Sequence, residues 1–200
     1  MIQLYNTNDA TNEPVTPAEL KSQLRITGTD FDTILAQKIQ SARQRAEEMT
    51  LRYLRVGATA KAAIFRYYLD DFPRDGTRKI KIYQCPVVSI IDIHYYDAAG
   101  ALQELSSSYY NTDTISEPAR IAEAYGYSWP SIQERINAVY IEFQSGYQLA
   151  ANIPPMLKEG ILMLAAHFFE NPSDVMTGTQ VNEIPESSKE LFMQFRLNRL

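Results

Sequence analysis

The sequence predicts an α+β fold: an α-helical core with an antiparallel β module inserted into it. Three observations carry this. Residues 29–54 hold a narrow apolar stripe at helical spacing, through Phe31, Leu35, Ile39, Ala42, Ala46, Met49 and Tyr53. From about residue 62 the pattern shortens to the two-residue period of strands and keeps it to about 146. A second helical segment at 155–170 is apolar nearly all round, as a central, buried helix would be. The expected division is therefore 1–61 and 147–200 as the helical core, with 62–146 as the insertion.

Residues 1–15 are polar and predicted to be extended. Thr16-Pro17-Ala18-Glu19 reads as a helix start, with a capping threonine, proline at the first position and glutamate at the third completing a capping box. That short helix is predicted to pass Leu20 and Leu24 and stop near Gly28. Thr29 and Asp30 open the long helix, whose acidic first turn suits the helix dipole. About 25 residues at a 1.5 Å rise make a rod of roughly 37 Å. A rod so narrowly striped needs a partner along its length, either the later helices or another copy of the chain. Gly57 is the expected stop.

The run 63–69 is β-prone, and Asp75-Gly76 signals a turn. Residues 79–83 alternate with period two, and Pro86 interrupts the chain before the long apolar run 87–96. Asp97-Ala98-Ala99-Gly100 is a hairpin-like turn. Weaker strands are expected near 109–111, 120–122 and 138–143, with Trp129 in a loop between Gly126 and Pro130. Pro154-Pro155 start the central helix, predicted to pack on the long stripe, and Asn171-Pro172 end it. The polar stretch 171–185 has no periodic pattern, and a structureless segment of that length is usually functional or mobile. A last helix is expected at 186–200, with Leu191, Phe192 and Phe195 on one side and Arg196 and Arg199 near its end.

Composition excludes several classes. With 45% hydrophobic and 22% charged residues the chain is ordinary for a soluble protein. No apolar run reaches membrane-spanning length, and the first residues do not read as a signal peptide. A single cysteine forbids an internal disulfide and fits synthesis in a reducing compartment. A net charge of −5 with scattered Lys and Arg argues against gripping phosphate backbones, though not against letting DNA pass. The 13 tyrosines suit both strands and contact surfaces, so their number does not choose.

No catalytic signature is present: no glycine-rich phosphate loop, Gly-x-Ser-x-Gly, His-Glu-x-x-His or Cys-x-x-Cys. His167 and Glu170 share a helical face and could form half a metal site, but a helical histidine bonded to a neighbour is the simpler reading. Cys85 lacks a placed base and reads as a buried thiol. Asp70-Asp71, Asp92 and Asp97 read as turn formers and solvated acids rather than a carboxylate pair. The tyrosine pairs 67–68, 95–96 and 109–110 have no basic patch beside them, so core and subunit contact is preferred over base stacking. Arg43, Arg45, Arg52 and Arg55 offer either an acidic-surface contact or a mixed-charge solvated face with Glu47 and Glu48. No catalytic, metal or cofactor site is assigned, and no cofactor is expected.

The order of the pieces carries a resemblance. Pro14-Val15-Thr16-Pro17-Ala18-Glu19-Leu20-Lys21 precedes a long helix ending in Ala46-Glu47-x-x-Thr50. Later come Cys85-Pro86-Val87-x-Ser89-Ile90, Tyr95-Tyr96-Asp97-Ala98-x-Gly100 and Phe143-Gln144-Ser145-Gly146-Tyr147. Ile153-Pro154-Pro155-x-Leu157-Lys158 then leads to His167-Phe168-x-Glu170-Asn171. From Val15 to about Asn171 the chain resembles the head–tail connector (adaptor) family of tailed bacteriophages, prophages and gene-transfer particles.

The resemblance implies a structural virion protein and no enzyme: a dodecameric ring of this chain beneath the portal protein in the virion neck, assembled in the bacterial cytoplasm. The ring would meet a stopper or tail-completion protein on its other side, and the genome DNA would pass its channel without specific binding. It also implies a C-terminal segment that reaches the portal, for which Leu191, Phe192, Phe195, Arg196 and Arg199 are the candidates. Arg43, Arg45, Glu48 and Arg52 are the candidates for subunit–subunit contact. The alternatives are another neck or tail-completion protein, disfavoured by two long helices, and a small hydrolase or metal enzyme, disfavoured because no polar cluster can be assembled. A nucleic-acid-binding module is disfavoured by charge.

Overall fold

The computed structural model describes residues 1–6, 12–56, 62–74, 78–171 and 186–197. Among these the chain forms four α-helices and two antiparallel sheets, an α+β architecture. The predicted stop at Gly57, the turn at Asp75-Gly76 and the polar stretch 172–185 lie outside the described residues.

The helical core begins with α1 (Pro17–Leu24), capped as its sequence dictates. The Thr16 hydroxyl accepts from the Glu19 amide at 3.2 Å, and the Glu19 carboxylate accepts from the Thr16 amide at 2.6 Å. The helix α2 (Asp32–Thr50) is shorter than the predicted 29–54 at both ends. Phe31 precedes it with no side-chain cap, and its ring packs edge-on against Phe169 instead. At the other end Leu51 turns left-handed at φ 60°, its amide bonded to the Glu47 carbonyl. What ends the helix is tertiary: the Tyr53 amide donates to the Cys85 carbonyl at 3.2 Å, and the Leu54 amide to the Glu47 carboxylate at 2.8 Å. Tyr53 thus leaves the stripe and joins the sheet core.

The rest of the stripe does what its spacing demands. Leu35, Ile39, Ala42 and Ala46 are buried against Leu157, Ile161, Leu164 and Ala165 of α3 (Pro155–Glu170). Each of the larger residues contributes about 1.5–3 kcal/mol by leaving water. The helices α1, α2 and α4 (Glu186–Met193) all pack on α3, which is therefore the central one. Gly160 lets α4 approach α3 closely, because a Cβ there would stand 2.6 Å from Cε1 of the buried Phe192 ring. The helix α4 stops at Met193, short of the predicted 200. Beyond it the backbone is drawn onto the end of α2: the Leu197 amide donates to the Thr50 carbonyl at 3.2 Å, and Arg52 Nε donates to the Phe195 carbonyl at 2.8 Å.

The extended N-terminus is a strand, β1 (Ile2–Asn6), on the edge of a five-stranded sheet. The other strands of that sheet are β2 (Ala63–Leu69), β4 (Val87–Tyr96), β5 (Leu102–Glu104) and β8 (Val139–Ser145), in the order β1-β2-β8-β4-β5. A three-stranded sheet, β3-β7-β6, combines β3 (Lys79–Ile82), β6 (Tyr110–Asp113) and β7 (Ala119–Glu123). The strict alternation of burial along β8 shows one face turned inward. Phe65, Ile93, Ile141 and Phe143 of the larger sheet meet Ile80, Ile82 and Ile121 of the smaller one, closing a two-layer sandwich. Trp129 is folded back from its loop and stacks on Phe72 at 4.8 Å. Gly146 ends β8 at φ 108°, where a Cβ would come within 2.7 Å of the Tyr53 ring. The helical and sheet clusters are separate, and the chain segments 51–56 and 145–147 run between them. No helix among the described residues is long and apolar enough to cross a membrane.

Candidate functional site

The side chains with the most chemistry are tied to local structure. His167 Nδ1 lies 3.2 Å from the amide of Asn171, one helical turn away, and no group of three or more metal-ligating side chains gathers among the described residues. Cys85 is buried, and that burial pushes its thiol up to about 11, away from nucleophilic use. Asp97 holds its turn, accepting from the Ala99 and Ala101 amides at 2.9 Å each. Asp70 accepts from the Asn137 amide, and Asp71 pairs with Arg74. A groove of about 720 Å³ between α2 and the β1–β2 edge is lined by apolar and tyrosine side chains together with Glu47, Glu48 and Arg52, and each of these three charges is paired elsewhere, with Arg43, Arg45 and Glu117 respectively.

The polar groups that are brought together act at junctions. Arg52 follows α2 and is 9% exposed. Its guanidinium grips the Glu117 carboxylate in bidentate fashion, at 2.7 and 2.5 Å, while its Nε holds the Phe195 carbonyl. Burial opposes the charge on Arg52, but Glu117 outweighs it and its pKa lies above the ordinary value. One side chain thus ties together the helical core, the β6–β7 loop and the segment after α4. A second network joins Glu13, Arg43, Glu47 and Arg55. Arg43 is 3% exposed and donates to Glu13 at 2.7 Å and to Glu47 at 2.6 Å. Burial raises the pKa of Glu47 despite the two donors on its carboxylate.

The residues proposed from the sequence for subunit and portal contact fall in different surroundings. Arg43 and Arg52, expected to face another subunit, are buried and paired within their own chain, because acids distant in sequence reach them. Phe192, expected to face the portal, is fully buried against Gly160 and belongs to the subunit core. Arg45 and Glu48 pair with each other at 2.9 Å on the open face of α2. Leu191 and Phe195 are half-buried and Arg196 is exposed, whereas Arg199 lies outside the described residues.

Sequence reasoning missed the outward faces of the two sheets. Lys79 and Lys81 point away from the sandwich, opposite Ala122 and Arg120 on β7. The signal was present, since the alternation Lys-Ile-Lys-Ile assigns the lysines to one face. On the larger sheet, one row aligns Arg66, Glu142 and Asp92, and the next Tyr68, Tyr140, His94 and Glu104. There His94 stacks on Tyr140 at 4.8 Å and lies 3.2 Å from Asp92, while Arg66 pairs with Glu142. Burial, and then the neighbouring acids Glu142 and Glu104, raise the pKa of Asp92 against the pull of His94.

What the molecule offers is two packed cores and the surfaces around them. Residues 16–125, more than half of the chain, match the family of phage gp6-like head-tail connector proteins, and the chain belongs to that family. It is accordingly a structural connector of the head–tail junction and not an enzyme. No curated protein sequence matches the chain. Among solved structures it is similar over 100% of its length to a chain from the neck of an empty gene transfer agent (GTA) particle computed with C6 symmetry, with 22% identity, 97% of that chain covered and a TM-score of 0.74. A chain from the virion of a native GTA particle matches at 21% identity, again over 100% and 97%, with a TM-score of 0.72. One from the neck of a native GTA particle computed with C12 symmetry matches at 22%, with the same coverage and a TM-score of 0.70.

Proposed function

We propose that this chain forms a homo-oligomeric ring, a dodecamer, in the virion neck between the portal protein and the stopper or tail, leaving a channel for the genome. The observation that carries the reading is the end-to-end likeness to chains from particle necks treated with C6 and C12 symmetry, in a chain of the connector family. A ring subunit needs two dissimilar side surfaces and two end surfaces. The division we infer, a helical core of 1–61 with 147–200 and a β module of 62–146, is supported by the presence of two apolar clusters, although β1 and Tyr53 join the sheet side. Arg45 and Glu48, exposed on α2, remain candidates for subunit contact, and Leu191, Phe195, Arg196 and Arg199 for docking on the portal. The net charge of −5 would keep DNA from adhering to the channel. Assembly would take place in the bacterial cytoplasm. The test is genetic: particles made without this chain are expected to fill with DNA yet fail to join tails, and normal joining would refute the role.

A further inference from the structure

The two outer faces of the β sandwich are opposite in direction and in charge. Because Ile80, Ile82 and Ile121 face Phe65, Ile141 and Phe143 across one core, whatever lies on the far side of each sheet points away from the other. The three-stranded sheet presents Lys79, Lys81 and Arg120 outward, with Asp113 as the carboxylate paired to Arg120. That leaves an excess of two positive charges on a chain whose net charge is −5. The five-stranded sheet presents Asp92, Glu104 and Glu142 against Arg66, with Arg135 over the Tyr96 ring at the end of β4, so that acids outnumber arginines on this face. Lys79 and Lys81 are exposed and make no ion pair among the described residues, and the same is true of Glu104.

We propose that these faces are the two halves of the contact between neighbouring copies of this chain: the lysine face of one copy docks on the Asp92/Glu104/Glu142 face of the next. This rests on the ring reading above and adds to it which surfaces mate. The partner is a second copy because the complement of each face is carried by the same chain. A contact between unlike faces propagates head to tail instead of stopping at a twofold dimer, and it gives a ring when the rotation from copy to copy closes. The aromatic residues Tyr68 and Tyr140 among the acids supply the apolar contact that charge alone does not. Salt weakens the association, because the lysines remain solvated until docking.

The test starts from the full chain, prepared as an equal mixture of ¹⁴N and ¹⁵N protein and treated with a zero-length carbodiimide cross-linker. Mixed-isotope peptides joining Lys79 or Lys81 to Asp92, Glu104 or Glu142 are expected. Cross-links between copies that consistently join other surfaces would overturn the pairing and leave the ring standing. Absence of any inter-copy product, with single copies at every concentration, would overturn both. Two variants complete the test, Lys79→Glu/Lys81→Glu and Gln3→Lys/Glu104→Lys, which alter exposed residues. Each alone is expected to associate at least about tenfold more weakly, since like charges then face each other. Mixed one to one they are expected to recover, alternating around an even-numbered ring. Mixtures no better than either variant alone would refute the contact.

Discussion

Gly160→Ala isolates the packing of the last helix on the central one. In an exposed helix this change would stabilise by about 1 kcal/mol, because alanine has the higher helix propensity. Here the new methyl would lie 2.6, 3.1 and 3.2 Å from three atoms of the Phe192 ring. Carbon atoms rest at about 3.5–4.0 Å, so the ring or α4 must retreat by roughly 1 Å. Phe192 is fully buried and has nowhere to swing. Overpacking of this kind costs about 1–3 kcal/mol, so with the propensity gain of about 1 kcal/mol the net expectation is a loss of up to about 2 kcal/mol. For a chain of this size each lost kcal/mol lowers Tm by about 2–4 °C. Thermal unfolding would measure the loss, and hydrogen exchange would locate it in α4. Phe192→Leu in the same chain should relieve the clash, so that the double variant is more stable than the two single losses predict. A Gly160→Ala protein more stable than the parent, with unchanged protection in α4, would refute the assigned contact.

Three further predictions concern single groups. At pH 8 the buried Cys85, its thiol pushed up to about 11, should resist iodoacetamide in the native chain and react once the chain is unfolded; rapid native labelling would contradict its burial. Arg52→Gln removes the grip on Glu117 and should cost about 1–3 kcal/mol, moderated because Glu117 is partly solvated. It should also speed exchange of the Leu197 amide, and unchanged exchange would show that the segment after α4 is held by other means. Backbone amides at Ser116 and Ile115 and the Arg120 guanidinium hold the Asp113 carboxyl well below the usual range. Its stabilisation is therefore present above the ordinary aspartate value of about 3.9 and is lost as pH falls through the depressed one. Titration followed by NMR should show that low midpoint; an ordinary one would mean the 113–116 turn is not closed in solution.

What was legible in the sequence was what local chemistry decides. Thr16 and Glu19 announce a capping box and make one. The central helix at 155–170 begins at Pro155 because Pro154-Pro155 admits no earlier helical turn, and its apolar girth puts it among three other helices. Alternation in 79–83 marked β3 as a strand, and the run 138–143 marked β8. What stayed hidden was decided by partners far along the chain. The long helix stops at Thr50 because the Tyr53 amide is claimed by Cys85, and the last one stops at Met193 because Thr50 and Arg52 claim the backbone beyond it. Arg43 and Arg52 looked like surface charges since Glu13 and Glu117 stand 30 and 65 residues away. The short β5 carries three exposed residues and no apolar alternation, so nothing local marks it as a strand.

The central claim is that the value of this fold lies in its outer surfaces, and electron microscopy of the full chain mixed with its portal addresses it most directly. A closed ring of this chain seated on the portal, with an open axial channel, is the predicted image. Portal rings that remain bare while the chain stays monomeric at high concentration would contradict the account.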